Sequence, residues 1–318
     1  MSRSPQQPEL LLRRLEWTVI RRLDGLLQGD YRTLFRGFGL DLADLREYQV
    51  FDDVRYIDWN VTARTQVPHV RVFNEDREVT AWFFLDLSPS VDFGSGEITK
   101  RQVLTEFTAV MARLLTRQGN RVGAILFDGV TEHILPPRSG RGQVLHILDR
   151  IAHCPRLART PGTDLGGALA RSMAAIKRRG LIFVVSDFVS SPGWDRVLAR
   201  ASQRHEGIIV RMVDPLDLLM PDIGLLPFQD AETGEQLMVD TNDRGFRRRF
   251  AAAAERNEAT LMEAFSTAGL DVLELSTGDD LLDAILRFSG LRKASARRGG
   301  GSPTTSVDRG PRQEGAAP

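Results

Sequence analysis

The chain has 318 residues, enough to bury one large core or two smaller ones. Its 42 basic and 42 acidic residues cancel, so the net charge gives no reason to expect nucleic acid or a membrane surface as a partner. Cys154 is the only cysteine, which excludes an internal disulfide and a cysteine-rich metal site. No stretch approaches the roughly 20 apolar residues of a membrane helix, and we expect a cytoplasmic protein with no membrane span.

The first region, residues 1–34, contains an amphipathic helix over residues 10–27. Its apolar face is formed by Leu12, Leu15, Val19, Ile20, Leu23 and Leu27. Arginines lie on the opposite face. We expect this helix to dock on its own domain; the alternative is a face that binds a membrane surface or a partner protein.

The second region, residues 35–79, mixes charges with short alternating apolar segments. This pattern predicts short antiparallel strands, a β extension that leads into the main sheet. The region contains an unusual charged cluster, made of Asp52, Asp53, Arg55, Asp58, Trp59 and Arg64. The cluster is either an internally paired or solvated ion network or a surface that binds a partner.

The third region, residues 80–290, alternates buried strands with helices. Such alternation predicts an α/β fold with a mostly parallel, doubly wound sheet of the Rossmann type, covered by helices on both faces. Residues 222–241 interrupt it with a hairpin insertion, which we expect to pack with the β extension. The tail, residues 291–318, has almost no large apolar residues, and we expect it to be disordered.

Oxygen-bearing side chains follow the strands of the predicted sheet. Asp86, Ser88 and Ser90 end one strand, Asp187 ends another, and a loop before a helix presents Thr163. Ligands collect at the carboxyl ends of strands in open α/β sheets. Two carboxylates and three hydroxyls suit a hard cation such as Mg²⁺ and leave room for an acidic group from another molecule. The alternative is that these residues cap turns and helices.

The order D-x-S-x-S, threonine, aspartate resembles the metal-ion-dependent adhesion site of von Willebrand factor A-like domains. The resemblance implies that Ser88, Ser90 and Thr163 touch Mg²⁺ or Mn²⁺ directly or through water, while Asp86 and Asp187 anchor the ion. It also implies a protein partner that supplies an acidic side chain to the metal.

A wider resemblance covers roughly residues 35–290. The segments "LREYQVFDDVRYIDWNVTAR", "VFNEDRE" and "LDLSPS" are similar to the bacterial domain-of-unknown-function family number fifty-eight. Members carry a von Willebrand factor A-like domain and are often associated with MoxR-type AAA+ ATPases. Phe51 and Val91 depart from the family pattern, and neither is a proposed ligand.

These features favour a divalent-metal-dependent protein-interaction module that is not an enzyme. The competing hypothesis is a Mg²⁺-dependent hydrolase or phosphatase that uses Asp86 as nucleophile. Phosphatases of the haloacid-dehalogenase type need a second aspartate two residues further on, where this chain has Ser88. We also expect no lysine in the loops near the site to steady a phosphoryl group.

Overall fold

The computed structural model describes residues 7–26, 42–49, 52, 54, 57–73, 79–130, 132–156, 162–229, 235–298 and 304–305. A central sheet of seven described strands organises the chain. The strands of this sheet are β3 (Thr80–Asp86), β4 (Arg121–Phe127), β5 (Glu132–Arg138), β6 (Leu181–Ser186), β7 (Glu206–Val213), β10 (Asp271–Ser276) and β11 (Thr304–Thr305). The remaining described strands form two separate pairs, β1 (Leu42–Glu47) with β2 (His69–Phe73) and β8 (Leu225–Gln229) with β9 (Gln236–Asp240).

The strand order of the central sheet is β11-β10-β7-β6-β3-β4-β5. All neighbouring pairs are parallel except β4 and β5, which are antiparallel. Strand β5 closes one end of this order and contains Pro136 and Pro137. The predicted mostly parallel sheet is thereby confirmed.

Helices cover both faces of the sheet. In chain order the described helices are α1 (Pro8–Leu15), α2 (Arg21–Leu26), α3 (Trp59–Thr65), α4 (Lys100–Arg117), α5 (Arg141–Ala152), α6 (Leu165–Ala175), α7 (Trp194–Ser202), α8 (Pro215–Leu218), α9 (Arg244–Ala268) and α10 (Leu281–Arg298). One buried core contains residues of α1, α4, α5 and α10, and the other contains residues of α6, α7 and α9. This two-sided burial is the doubly wound arrangement. Within the described residues, no helix combines the length and the apolar character needed to cross a bilayer.

The N-terminal helix docks on its own domain, as predicted. A π-helical stretch, Glu16–Ile20, joins α1 to α2. Leu12, Leu15 and Leu23 are buried in the same core as α4 and α5. Arg113 of α4 donates to Glu16 across this contact, with Nε 2.7 Å from Oε1. The predicted face member Leu27 lies outside the described residues.

The region before the main sheet contains the predicted antiparallel pair, β1 with β2. The prediction of strands is wrong for Trp59–Thr65, which forms α3. The carboxylate of Asp58 accepts the backbone N–H groups of Asn60 and Val61, so it caps this helix. Asp53 and Arg55 of the charged cluster lie outside the described residues, and the Trp59 side chain is exposed.

The predicted hairpin insertion forms, and β8 and β9 pair with each other in a described sheet separate from that of β1 and β2. Its packing against the β extension stays a prediction. The start of the predicted tail differs from the structure. Helix α10 continues to Arg298 and so includes the first eight residues of the predicted tail. Thr304–Thr305 then pairs in parallel with β10, and the rest of the tail lies outside the described residues.

Candidate metal centre

Two parallel strands deliver polar side chains to the same level of the sheet. In β3, Phe83 and Leu85 enter one core and Phe84 enters the other, because successive side chains alternate between faces. Asp86 is the last residue of β3 and is fully buried. The register pairs Leu85 with Val185, so β6 ends at the same level as β3, at Ser186. The Ser186 hydroxyl donates to Asp86 Oδ2 at 2.6 Å.

The two serines of the motif lie on a turn that follows β3. Pro89 begins a short 3₁₀ turn, so the chain is no longer extended there. The Ser88 backbone N–H donates to Asp86 Oδ1, the Ser88 and Ser90 hydroxyl oxygens are 3.3 Å apart, and Ser90 Oγ donates to Asp187 Oδ1 at 3.2 Å. The structure therefore joins four of the five predicted ligands in one buried chain of hydrogen bonds.

Helix α4 holds the turn that carries Ser88 and Ser90, which we name the serine turn. Arg101 donates from Nη2 to the carbonyl oxygen of Leu87 at 2.9 Å and forms a salt bridge with Asp92 at the end of the turn. The Arg101 side chain is buried. This fixes the turn against the helix that follows it in sequence.

Asp187 is positioned by an unusual backbone conformation. The next residue, Phe188, has a φ of 60°, which is rare for a bulky residue, and its N–H donates to Ser186 Oγ at 2.9 Å. Its ring packs against Trp194 and Phe265, which holds the conformation in place. Ser186 thus serves both sides of the site, because it donates to Asp86 and accepts from the loop that carries Asp187.

The fifth predicted ligand, Thr163, is buried on the loop that enters α6. Its carbonyl oxygen accepts the backbone N–H of Ser191 at 3.1 Å. This bond places the Thr163 loop beside the loop that follows Asp187.

The electrostatics of the site favour a bound cation. Burial, and then the nearby charge of Asp187, raise the pKa of Asp86 from 3.8 to about 6, although hydrogen bonds from Ser186 and Ser88 oppose the shift. A positive ion between the two carboxylates would relieve their repulsion.

A lysine that the sequence did not lead us to expect lies beside the site. Lys100, the first residue of α4, is buried, and its ammonium is 3.2 Å from Asp187 Oδ2 and 2.8 Å from Asp217 Oδ2. Burial opposes its charge, but Asp187 and Asp217 outweigh burial and raise the pKa of Lys100. The expectation concerned lysines in the loops near the site, and it did not consider Lys100, which approaches from the first residue of a helix.

Asp217 belongs to a second group of polar residues at the same sheet edge. Asp214, which follows β7, accepts from Ser95 N, Leu216 N and Thr277 Oγ1. These hydrogen bonds outweigh burial and lower the pKa of Asp214. The Asp214 backbone N–H in turn donates to Asp217 Oδ2. Lys100 therefore connects the predicted site, through Asp217, to the turn that follows β7. The sequence did not indicate this connection.

Comparison with known proteins places the chain in a family. A model of the family described as "Protein of unknown function DUF58" matches residues 44–260, more than half of the chain. The chain belongs to this family. An uncharacterized protein of Mycobacterium tuberculosis is 37% identical over 288 residues, covering 91% of this chain and 90% of the relative. An uncharacterized protein of Mycobacterium avium is 34% identical over 165 residues, covering 52% of this chain and 97% of the relative.

Solved structures give partial likenesses to this family member. An aerotolerance-related membrane protein from Bacteroides fragilis aligns with a TM-score of 0.44 at 14% identity, covering 68% of this chain and 99% of that chain. A von Willebrand factor type A structure from Catenulispora acidiphila aligns with a TM-score of 0.36 at 8% identity, covering 68% of this chain and 42% of that chain. The family assignment rests on the sequence matches.

The residues of the site fit a hard divalent cation. No group of three or more His, Cys, Asp or Glu side chains is placed to hold a metal in the part of the chain that the structure describes. A metal here would depend instead on two carboxylates with serine and threonine hydroxyls and water, the oxygen set that Mg²⁺ and Mn²⁺ accept. Asp86, Ser88, Ser90, Thr163 and Asp187 are all buried, so an ion held by them would be largely shielded from water.

Proposed function

We propose that this chain is a non-enzymatic protein-interaction module that binds its partner through Mg²⁺ or Mn²⁺. The ion is held by Asp86, Ser88, Ser90, Thr163 and Asp187. The observation that carries the proposal is the buried hydrogen-bonded chain from Asp86 through the two serine hydroxyls to Asp187, at the carboxyl edge of the sheet.

The partner supplies an acidic side chain to the ion. Two carboxylates and neutral hydroxyls leave a divalent cation with open coordination positions and residual positive charge, which a third carboxylate can satisfy. The resemblance to family members associated with MoxR-type AAA+ ATPases makes such an ATPase the first candidate. The cytoplasmic location expected from the sequence stays a prediction.

The geometry of Asp86 favours binding over hydrolysis. A nucleophile needs an oxygen that can reach a substrate, but Asp86 is fully buried and both of its oxygens accept hydrogen bonds from within the protein. Lys100 removes one argument against a phosphatase. The other argument stands, because position 88 holds a serine and not an acid.

The test is Mg²⁺ titration of the full chain by calorimetry, with Asp86→Asn as the variant. We expect the wild-type protein to bind Mg²⁺ and Asp86→Asn to lose this binding while circular dichroism shows an intact fold. Asp149→Ala, which removes an exposed carboxylate of α5, is the matched control and should bind as the wild type does. Equal Mg²⁺ affinity in Asp86→Asn and wild type would refute the site.

A second experiment tests the partner. The full chain is mixed with a MoxR-type AAA+ ATPase from the same organism, in Mg²⁺ or in EDTA. Capture in Mg²⁺ that disappears in EDTA and in Asp86→Asn supports the proposal. Capture that EDTA does not change would show that the interaction bypasses the ion.

A further inference from the structure

Lys100 occupies a position where burial and the helix dipole both disfavour a positive charge. It is only 2% exposed, and it is the first residue of α4, where the helix dipole repels a cation. Burial of an ammonium group is also costly unless it is paired. Lysine is rare in this chain, with three lysines among 42 basic residues. Lys100 is thus disfavoured both by burial and by the helix dipole, which indicates that it has a role at the site that it contacts.

That role follows from the position of Asp187. Two cations, the Lys100 ammonium and a divalent ion at the predicted centre, would share its carboxylate. Asp187 Oδ2 lies 3.2 Å from the Lys100 ammonium, while Oδ1 accepts from Ser90 Oγ and from Val189 N. A divalent ion at the predicted centre would draw on the same carboxylate and on the same serine. Two cations that share one carboxylate repel each other, and the repulsion is strong where water is excluded.

Lys100 also has a second partner to which it can turn. Asp217 Oδ2 lies 2.8 Å from the ammonium, closer than Asp187 Oδ2. Asp217 sits on α8 and accepts the backbone N–H of Asp214. When a divalent ion takes Asp187, Lys100 can keep its charge paired with Asp217 alone.

We propose that Lys100 is an internal cation that competes with the divalent ion for Asp187, and that it thereby sets how tightly the site binds the ion. The inference deepens the proposed function and rests on its claim that the site takes a divalent cation. Lys100 and Asp217 act through Asp187 and are not themselves metal ligands.

The experiment is Mg²⁺ titration of the full chain by calorimetry, with Lys100→Met as the main variant. Methionine keeps most of the apolar stem and removes the charge. We expect Lys100→Met to bind Mg²⁺ about tenfold more tightly or better, equivalent to about 1.4 kcal/mol, because one competing positive charge is gone. Lys177→Met makes the same chemical change at an exposed lysine and should bind as the wild type does.

Two further variants keep the test decisive if Lys100→Met folds poorly. Asp217→Asn takes away the second partner, so Lys100 depends on Asp187 alone, and Mg²⁺ affinity should fall. Lys100→Arg keeps the positive charge and should not tighten binding. The rise in melting temperature caused by Mg²⁺ gives an independent readout, and it should be larger for Lys100→Met and smaller for Asp217→Asn than for the wild type.

The outcomes separate this inference from the proposed function. If the wild type binds Mg²⁺ but folded Lys100→Met binds no more tightly, the competition is refuted while the metal site stands. If the wild type does not bind Mg²⁺ and Lys100→Met does, Lys100 competes so strongly for Asp187 that it excludes the ion. If no variant binds Mg²⁺ or Mn²⁺, both the metal site and the competition are refuted.

Discussion

Two buried groups of charges lie on neighbouring strands of this sheet, and they are built differently. The first, which we name the arginine triad, consists of Arg211 on β7, Glu274 on β10 and Glu258 on α9. Arg211 donates to both glutamates at 2.7 to 2.8 Å. The second is the candidate metal centre. Arg211 and Ser186 are register partners, so the two groups are adjacent in the sheet.

The difference lies in how negative charge is compensated. In the arginine triad one guanidinium lies between two carboxylates and donates to each of them directly. In the candidate centre Lys100 pairs with Asp187 and Asp217, while Asp86 is held by hydroxyl and backbone donors alone in its described contacts. The triad uses residues inside regular elements, whereas the centre uses the last residues of strands and the turns that follow them. We therefore expect the fold to depend on Arg211, and we propose that the centre, in contrast, accepts a further cation.

The largest expected effect is on the arginine triad. Arg211→Met removes the guanidinium that donates to both buried glutamates, and we expect the free energy of unfolding to fall by about 3–5 kcal/mol. Urea denaturation at pH 7 measures this. Arg249→Met, at an exposed arginine 3.8 Å from Asp243, should change stability little. A loss in Arg211→Met no larger than in this control would show that the triad does not stabilise the fold.

The next effect concerns Asp86 and pH in metal-free buffer. Because the folded-state pKa is raised, the folded protein holds this proton more tightly than the unfolded chain, and stability falls as pH rises between the two pKa values. The shift from 3.8 to about 6 corresponds to about 3 kcal/mol. We therefore expect the stability of Asp86→Asn relative to wild type to rise from about pH 4 to about pH 6.5 and then stay level.

Urea denaturation in EDTA across this pH range measures the difference. Mg²⁺ added at pH 7 should raise the stability of the wild type and leave Asp86→Asn unchanged, because the ion compensates the Asp86 carboxylate. A stability difference between Asp86→Asn and the wild type that does not depend on pH would mean that burial and Asp187 do not raise the pKa of Asp86.

A smaller effect is expected at Ser186, which links Asp86 to the loop that carries Asp187. Ser186→Ala removes the donor to Asp86 Oδ2 and leaves the buried N–H of Phe188 without its acceptor. We expect a loss of about 1–3 kcal/mol in urea denaturation. The pKa of Asp86 should rise further, because the lost hydrogen bond lowers it. Ser190→Ala, which removes an exposed hydrogen bond to Ser191 O, is the control. Equal losses in the two variants would contradict the linking role.

Much of the fold was predictable because hydrophobic alternation repeats along the chain. Continuous apolar runs such as residues 181–185 and amphipathic helices between them lead to a parallel sheet covered on both faces. The strand prediction failed at Trp59–Thr65, where a single capping carboxylate on Asp58 decided the local structure. A cap contributes one hydrogen-bonding side chain and leaves no periodic signal.

The candidate site was only partly predictable. Asp86, Ser88, Ser90 and Asp187 could be grouped because each ends or follows a strand at the same edge. Ser186 was missed because a serine at the end of a buried apolar run is also a common small core residue, and only the register of β3 against β6 shows its contact.

Lys100 and Asp217 were missed for a different reason. Lys100, at a helix terminus, meets Asp187 87 residues later in the sequence and Asp217, on a short helix, 117 residues later. No local pattern encodes such a contact. The rarity of lysine in an arginine-rich chain was the one signal that could have drawn attention to Lys100.

Strand β5 has a consequence for assembly. It closes one end of the described sheet order, and an edge strand usually offers unpaired N–H and C=O groups to a strand of another molecule. Pro136 and Pro137 lack the N–H donor at two consecutive positions, so a strand that approached there would find an interrupted ladder. Copies of the chain are thereby discouraged from joining sheet to sheet into open-ended fibres along this edge.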